Sequence, residues 1–370
     1  METDVQIEIY TVGRLSNLLS SKEFWFQNVA PITKHRAQFI INSPRSKKDD
    51  PVLFVAKVAG KIAGYRLIFP DRIFVDSEDF RLGWGSCYWV DKAYRGKGIG
   101  KVLFQKSLGL WDGNIGSLIQ SKDAARVYEG NSDFYCVRES TGYQFVLKIN
   151  VGYWLEKKLK FVRKLRLLTR AMDLPVNLMM TFRQFLWMQK AKPLLNKSLE
   201  YYQEIEDEET THFVNKRNRD TLLRRGIQEI NAIVKYPTSL ATPLVDVVKS
   251  RYYFATNADR FDYYYFKIYD DRNDLIGLAL INVEGKELRL LYYFSKESSN
   301  HSIVYNIVLA HARSLKIEII SSYDDKLNQF ILSSGFPTLF NRRQNRKSFL
   351  PVRYKTIIPK DFLIFDGDGA

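Results

Sequence analysis

Arg95-Gly96-Lys97-Gly98-Ile99-Gly100 lies between the strand-like run Ser86-Cys87-Tyr88-Trp89-Val90 and the helix-like run Val102-Leu103-Phe104-Gln105-Lys106-Ser107-Leu108. Three glycines alternate with other residues where a strand turns into a helix. Alternating glycines let the backbone approach a ligand closely, and the free N–H groups of a first helical turn point at whatever sits there. The helix dipole adds partial positive charge, and Arg95, Lys97 and Lys101 add whole charges. Such a place suits a pyrophosphate. The spacing excludes two common forms. A G-x-G-x-x-G fingerprint needs its third glycine one residue later, and a Walker loop needs Ser or Thr after its Gly-Lys. What fits is Arg-x-x-Gly-x-Gly, read as Arg95, Gly98 and Gly100.

With Tyr88-Trp89-Val90-Asp91-Lys92-Ala93-Tyr94 in front of it, the stretch resembles the acyl-CoA site of the GNAT superfamily of N-acetyltransferases. The resemblance implies that the loop amides from Gly96 through Lys97, Gly98, Ile99 and Gly100 to Lys101, together with Arg95, hold the CoA pyrophosphate. It also implies that the strand through Tyr88 to Val90 pairs its exposed backbone with the pantetheine arm. Ala124 and Tyr128 resemble the Ala-x-x-x-Tyr step of the family's final helix, which implies that Tyr128 protonates the departing thiolate. A phenol near the sulfur can supply that proton without a fully buried charge. The general base stays open. Some relatives place a Glu six residues before the position of Val90, where this chain has Trp84; Asp76, Glu78 and Asp79 lie just upstream.

The order of elements agrees. Ile7 to Val12 reads as a strand, Leu15 to Asn42 as two short helical stretches, and Val52–Val58 with Ile62–Phe69 as a hairpin around Ala59-Gly60-Lys61. Arg81 to Val90 and Ser117 to Gln120 follow as strands, Lys122 to Glu129 as a helix, then Tyr135–Val137 and Gln144–Ile149 as a closing pair. This predicts an α/β fold, a twisted mixed sheet with helices on both faces. The order then repeats: strands at Leu199–Glu206, Phe261–Tyr269, Leu275–Val283, Glu287–Phe294 and Lys316–Ser321, helices at Thr211–Lys235, Ser302–Leu315 and Leu327–Ser333. The chain is thus expected to hold two tandem GNAT-like domains: residues 1–150 catalytic, 151–198 a helical connector, and 199–370 a degenerate, non-catalytic copy. In that copy Ser295-Lys296-Glu297-Ser298-Ser299-Asn300-His301 replaces the glycine loop and Ile331 the tyrosine. Its aromatic clusters around Tyr253, Tyr264 and Tyr293 are expected in the core. Arg342 to Lys347 is expected in a turn, and Asp366-Gly367-Asp368 as a frayed end.

Composition bounds the rest. The chain has 370 residues, 45% of them hydrophobic, with 24 Phe and 22 Tyr, which excludes wholesale disorder. Cys87 and Cys136 make no disulfide framework, no zinc-ligand spacing is present and no metal is expected. An acidic N-terminus and the lack of a long apolar run lead to a cytoplasmic expectation, with a peripheral place at the inner face of the membrane as its variant. The charge is uneven. From Val151 to Ser198 eleven Lys or Arg face two acids, +9 of the formal +15. Leu155, Leu159, Val162, Leu165, Leu168 and Met172 form one helical stripe there, Pro175 is expected to end that helix, and Phe182, Phe185, Leu186 and Met188 to lie on a second before Pro193. Three roles fit: a brace, an anionic membrane surface contact with Trp154, Phe161 and Trp187 at the interface, or a polyanion site; no specific nucleic acid is expected. The sequence therefore points to an N-acyltransferase moving an acetyl group from acetyl-CoA, or another acyl group from its CoA ester, to a primary amine of a small molecule or amino sugar. The alternatives are a Fem-like transferase with a tRNA-linked donor and a non-catalytic CoA-binding protein.

Overall fold

The computed structural model describes residues 5–25, 29–151, 166–195, 197–239, 252–254, 258–359 and 361–369. The connector positions Trp154, Leu155, Leu159, Phe161, Val162 and Leu165 lie outside them. The first half runs β1 (Gln6–Thr11), α1 (Val12–Asn17), α2 (Lys22–Trp25), α3 (Lys34–Asn42), β2 (Pro51–Val58), β3 (Lys61–Val75), β4 (Glu78–Val90), α4 (Ile99–Leu110), β5 (Ile115–Ile119), α5 (Lys122–Glu129) and β6 (Phe134–Val146). After α6 (Arg166–Leu195) come β7 (Ser198–Tyr202), α7 (Glu208–Arg217), α8 (Ile227–Lys235), β8 (Phe261–Tyr269), β9 (Leu275–Glu284), β10 (Glu287–Ser295), α9 (His301–Ser314), β11 (Ile319–Ser322), α10 (Asp325–Ser333) and β12 (Phe340–Pro351). The order from β2 to β6 recurs from β8 to β12.

All twelve strands form one mixed sheet in the order β1-β2-β3-β4-β5-β12-β6-β11-β10-β9-β8-β7. The β2–β3 turn is made by Ala59 and Gly60, both at positive φ (47° and 73°), as the short hairpin requires. The middle of the sheet departs from simple order. β12, from the second half, pairs with β5, while β6, from the first, pairs with β11; between them β6 and β12 run antiparallel from Phe134↔Pro351 to Val146↔Phe340. Each half's last strand is therefore built into the other's part of the sheet.

This arrangement corrects two expectations. The closing pair Tyr135–Val137 and Gln144–Ile149 is one continuous strand, and Arg342 to Lys347 lies in β12 instead of a turn. Both stretches are polar in the middle, which reads as a break. Here polar residues stand opposite polar residues, Asn345↔Thr141 and Lys347↔Glu139, so the ladder continues. A third correction concerns Pro175 and Pro193, both inside the single helix α6. A proline removes one hydrogen bond from a helix, and Pro175 sits on the solvent side, where a bend toward the core is tolerated. Asp173 and Asn177 clamp the turns around it by accepting from the Val151 and Ile149 N–H groups at 3.1 and 2.8 Å.

Core clusters fill both faces. One gathers Phe266, Ile281, Leu288, Val308, Ile320 and Leu327; another Leu15, Ile40, Leu53, Val55, Tyr65 and Leu67. The aromatic clusters go largely inward, with Tyr252, Tyr265, Phe266, Tyr292 and Phe294 buried and Tyr253 outside. The C-terminal turn is not frayed. Asp366 accepts from the Tyr323 N–H at 2.9 Å, and Asp368 accepts from the Tyr292 hydroxyl at 3.2 Å and the Phe365 N–H at 2.8 Å.

Candidate active site

β4 and β5 are parallel neighbours at only two positions, Gly83↔Ile115 and Trp84↔Gly116. Beyond them the strands part. Ser117 Oγ still reaches the Gly85 carbonyl at 3.2 Å, after which β4 shows no ladder partner on that side through Ser86 to Val90. A bulge at Cys87, with φ 46°, shifts the β3–β4 register between Leu67↔Ser86 and Tyr65↔Trp89 and turns this end of β4 outward. An open strand edge of this kind is a template for an extended, amide-bearing ligand.

The glycine loop follows directly. Gly96 and Gly98 both have φ 78°, a conformation that side chains resist, and a Cβ at either would meet nothing within 4 Å. The glycines thus serve backbone shape and free access, not packing. Gly98 caps α4 without a side-chain cap bond, so the first-turn amides are left for a ligand. Gly100 is different: its Cβ would lie 2.8 Å from the Tyr88 hydroxyl, so it sets the close approach of helix to strand. Ile99 is buried and anchors the turn, while Arg95, Lys97 and Lys101 are exposed at its rim. Arg95 Nε also donates to the Val90 carbonyl at 3.3 Å. Burial pushes the Tyr88 phenol up to about 12. The nine residues expected to hold the cofactor, from Tyr88 and Val90 through Arg95 to Lys101, fall along one path from strand edge to helix.

Tyr128 stands at the root of the split. Its ring stacks on Phe349 of β12, centroids 5.4 Å apart, and meets Phe104 and Phe134 edge-on. A Cβ at Gly85 would lie 2.9 Å from the Tyr128 hydroxyl, which places the phenol against β4 where its edge opens.

Sequence reasoning missed Arg66. The residue is 1% exposed, Nη2 donates to the Tyr128 hydroxyl at 2.8 Å, and Nη1 has no hydrogen-bond partner. Among the described residues no carboxylate pairs with it. The rings of Phe104 and Tyr88 lie 4.5 and 5.4 Å from it. Such contacts contribute roughly 0.5–2 kcal/mol each, whereas an isolated buried ion costs several kcal/mol, so the site retains an affinity for negative charge. The signal was present: an arginine inside the otherwise apolar strand Ile62 to Phe69.

A cleft of about 290 Å³ opens in front of Tyr128, Ser86, Cys87 and Tyr88 and is closed by Ile233 and Tyr236 from the second half. A second, of about 270 Å³, adjoins it, with Phe69, Ser86, Leu118, Gln120, Thr238 and Tyr263 lining both. Its far wall carries Arg36, Glu284, Arg289, Arg346 and Asp366. Burial raises the Glu284 carboxyl above the usual glutamate range against the pull of Arg289. Asp366 is pushed up to about 6 by burial, with Arg346 opposing. At the cleft floor Asp71 binds Arg45 at 2.9 Å, Arg225 at 2.5 Å and the Trp84 indole at 2.9 Å. Trp84, at the position where a base was sought, thus donates to an acid instead of being one. Asp76, Glu78 and Asp79 are not brought here. They sit at the β3–β4 turn, six strand positions or about 20 Å from Gly85, and Asp79 pairs with Arg72.

Residues 15–117 match the family model for the acetyltransferase (GNAT) family, so the chain carries a GNAT acetyltransferase domain and is an acyltransferase of that type. Among solved structures the fold is similar to Saccharomyces cerevisiae N-myristoyltransferase with bound myristoyl-CoA, at 11% identity and TM-score 0.50, covering 95% of this chain and 83% of that one. A GCN5-related N-acetyltransferase from Anabaena variabilis matches at 11% identity and TM-score 0.49, covering 93% and 72%. At these identities the likeness concerns the fold alone. No curated protein matches the sequence.

Proposed function

We propose that this chain, a GNAT acyltransferase by the match over residues 15–117, transfers an acetyl group from acetyl-CoA to a primary amine held in the paired clefts. The observation that carries this is the continuous path from the Tyr128–Arg66 pair, along the open edge of β4, to the uncapped amides behind Gly98. In this reading the amides of Gly96 to Lys101, with Arg95, hold the pyrophosphate, and the β4 edge from Tyr88 to Val90 pairs with pantetheine. A neutral amine attacks the thioester carbonyl, the C–N bond forms and the C–S bond breaks. Tyr128 gives its proton to the leaving thiolate, the proton shed by the new amide nitrogen restores the phenol, and the buried Arg66 cation stabilises the charge as it develops. Glu284, whose carboxylate burial makes more basic than an ordinary glutamate, takes the ammonium proton through water.

The mixed acidic and basic wall of the second cleft suits a polar acceptor, and an amino sugar is the one we favour. The two halves are read as copies of one unit, residues 1–150 and 199–370, joined by residues 151–198. The second is non-catalytic because Ser295 to His301 enter α9 without a glycine and Ile331 is buried in the core. A donor on tRNA is disfavoured because it would leave the Gly98 loop without a role. The test is a screen of amines, amino-sugar nucleotides and peptides for acetyl-CoA consumption. Turnover that disappears in Tyr128→Phe supports the reading. Turnover of a tRNA-linked donor with no use of acyl-CoA removes it.

A further inference from the structure

α6 is turned inside out. Its inner face is fully engaged: Met180 and Ala191 are buried, Gln184 Nε2 donates to the Pro337 carbonyl at 3.4 Å and Trp187 Nε1 to the Ser334 carbonyl at 3.1 Å. Its outer face carries Met172, Leu174, Leu178, Met179, Phe182, Phe185 and Leu186, each between 41% and 64% exposed. These are seven of the seventeen exposed large hydrophobic residues among the described residues. At 3.6 residues per turn they share an arc of about 160° and extend for about 21 Å along the axis. A soluble surface helix ordinarily presents the opposite pattern. Singly exposed apolar residues need no explanation; a contiguous row does.

We propose that this outer face of α6 lies on an anionic lipid surface, with the helix parallel to the membrane plane. The inference goes beyond acyl transfer and does not depend on it. No helix among the described residues is long and apolar enough to cross a membrane, so the contact is peripheral. Charge selects the occupant. The segment 151–198 carries +9 and the chain +15, so a second copy docking on this face would meet like charge, whereas anionic lipid headgroups are attracted. Exposed Arg183 and Lys190 fall at one border of the apolar arc, where cationic side chains reach headgroups while Phe182 and Leu186 enter the acyl boundary. A soluble polyanion would use the charge but leave the apolar row unexplained: five of its seven side chains are aliphatic and offer no ring for base stacking.

Sedimentation of the full chain with phosphatidylcholine vesicles, with and without phosphatidylglycerol, tests this. The full chain is expected to bind the anionic vesicles, with salt weakening but not abolishing binding. The double substitution Phe182→Ser, Leu186→Ser replaces exposed side chains only and is expected to weaken partitioning at least about tenfold. Arg183→Gln with Lys190→Gln is expected to reduce the preference for phosphatidylglycerol. Vesicle binding unchanged in the serine variant would show charge acting alone and overturn the proposal. So would the absence of vesicle binding, with or without a concentration-dependent dimer that the serine variant abolishes.

Discussion

At the residue scale the account rests on a phenol and a guanidinium. Tyr128 was legible from its spacing to Ala124; Arg66 left a trace as the lone arginine of the apolar run Ile62 to Phe69, but only the fold brings it within 2.8 Å of that phenol with no carboxylate pairing it among the described residues. Tyr128→Phe is expected to lower kcat by roughly 10²–10⁴-fold with little change in acyl-CoA affinity, since the proton is needed only as the thiolate leaves. Arg66→Met is expected to lower kcat by roughly 10²-fold or more, as loss of a charge-stabilising donor does. An unchanged kcat in both, with chemistry rate-limiting, would leave the pair as packing. The base we propose was illegible for a different reason: Glu284 comes from β9, in the half of the chain without the glycine loop. Its carboxyl titrates above the ordinary glutamate range, so activity should fall as pH falls through that raised value. Glu284→Gln should remove this acid limb; a limb that persists would assign it elsewhere. Asp366 gives a stability counterpart. Its folded value of about 6 lies above its unfolded one, so the fold favours the neutral form. That contribution is present in acid and lost as pH rises through about 6, so wild-type stability relative to Asp366→Asn should decline over that interval, as thermal melts would show.

At the scale of elements, the glycine loop and its flanking strand and helix were readable because the requirements are local. A left-handed Gly98, an uncapped helix start and a strand edge need only neighbouring residues. Substituting Gly98 by Ala costs about 1–2 kcal/mol of backbone strain at φ 78° without filling space the protein occupies. It should therefore weaken acyl-CoA binding far more than stability, whereas Gly100→Val, pressed against Tyr88, should cost stability as well. Comparison of calorimetric affinity with melting temperature separates the two. What escaped local reading was long-range. β6 looked like two strands because Arg138 to Gly142 is polar, and the backbone ladder of those residues is made with β12, about two hundred positions later. The Asp366–Asp368 turn looked loose because its partners, Tyr323, Tyr292 and Arg225, cannot be foreseen from its own composition.

At the scale of the molecule, the exchange of β6 and β12 ties the halves into one sheet and brings Phe349 onto the ring of Tyr128. Residues 1–150 expressed alone would leave β5 and β6 without β12, and β6 without β11. That fragment is expected to aggregate or to melt without a cooperative transition. A cooperative melt and native-like dispersion of its amide NMR signals would show that the exchange is dispensable. On the proposed reading the second half contributes cleft wall and sheet, and no cofactor site of its own. The most direct measurement of the central claim is titration calorimetry of acetyl-CoA into the full chain and into a folded Gly98→Asp variant. The account predicts one site per chain in the wild type and loss of binding in the variant. Equal affinity in the two proteins, or two sites per chain, would contradict it.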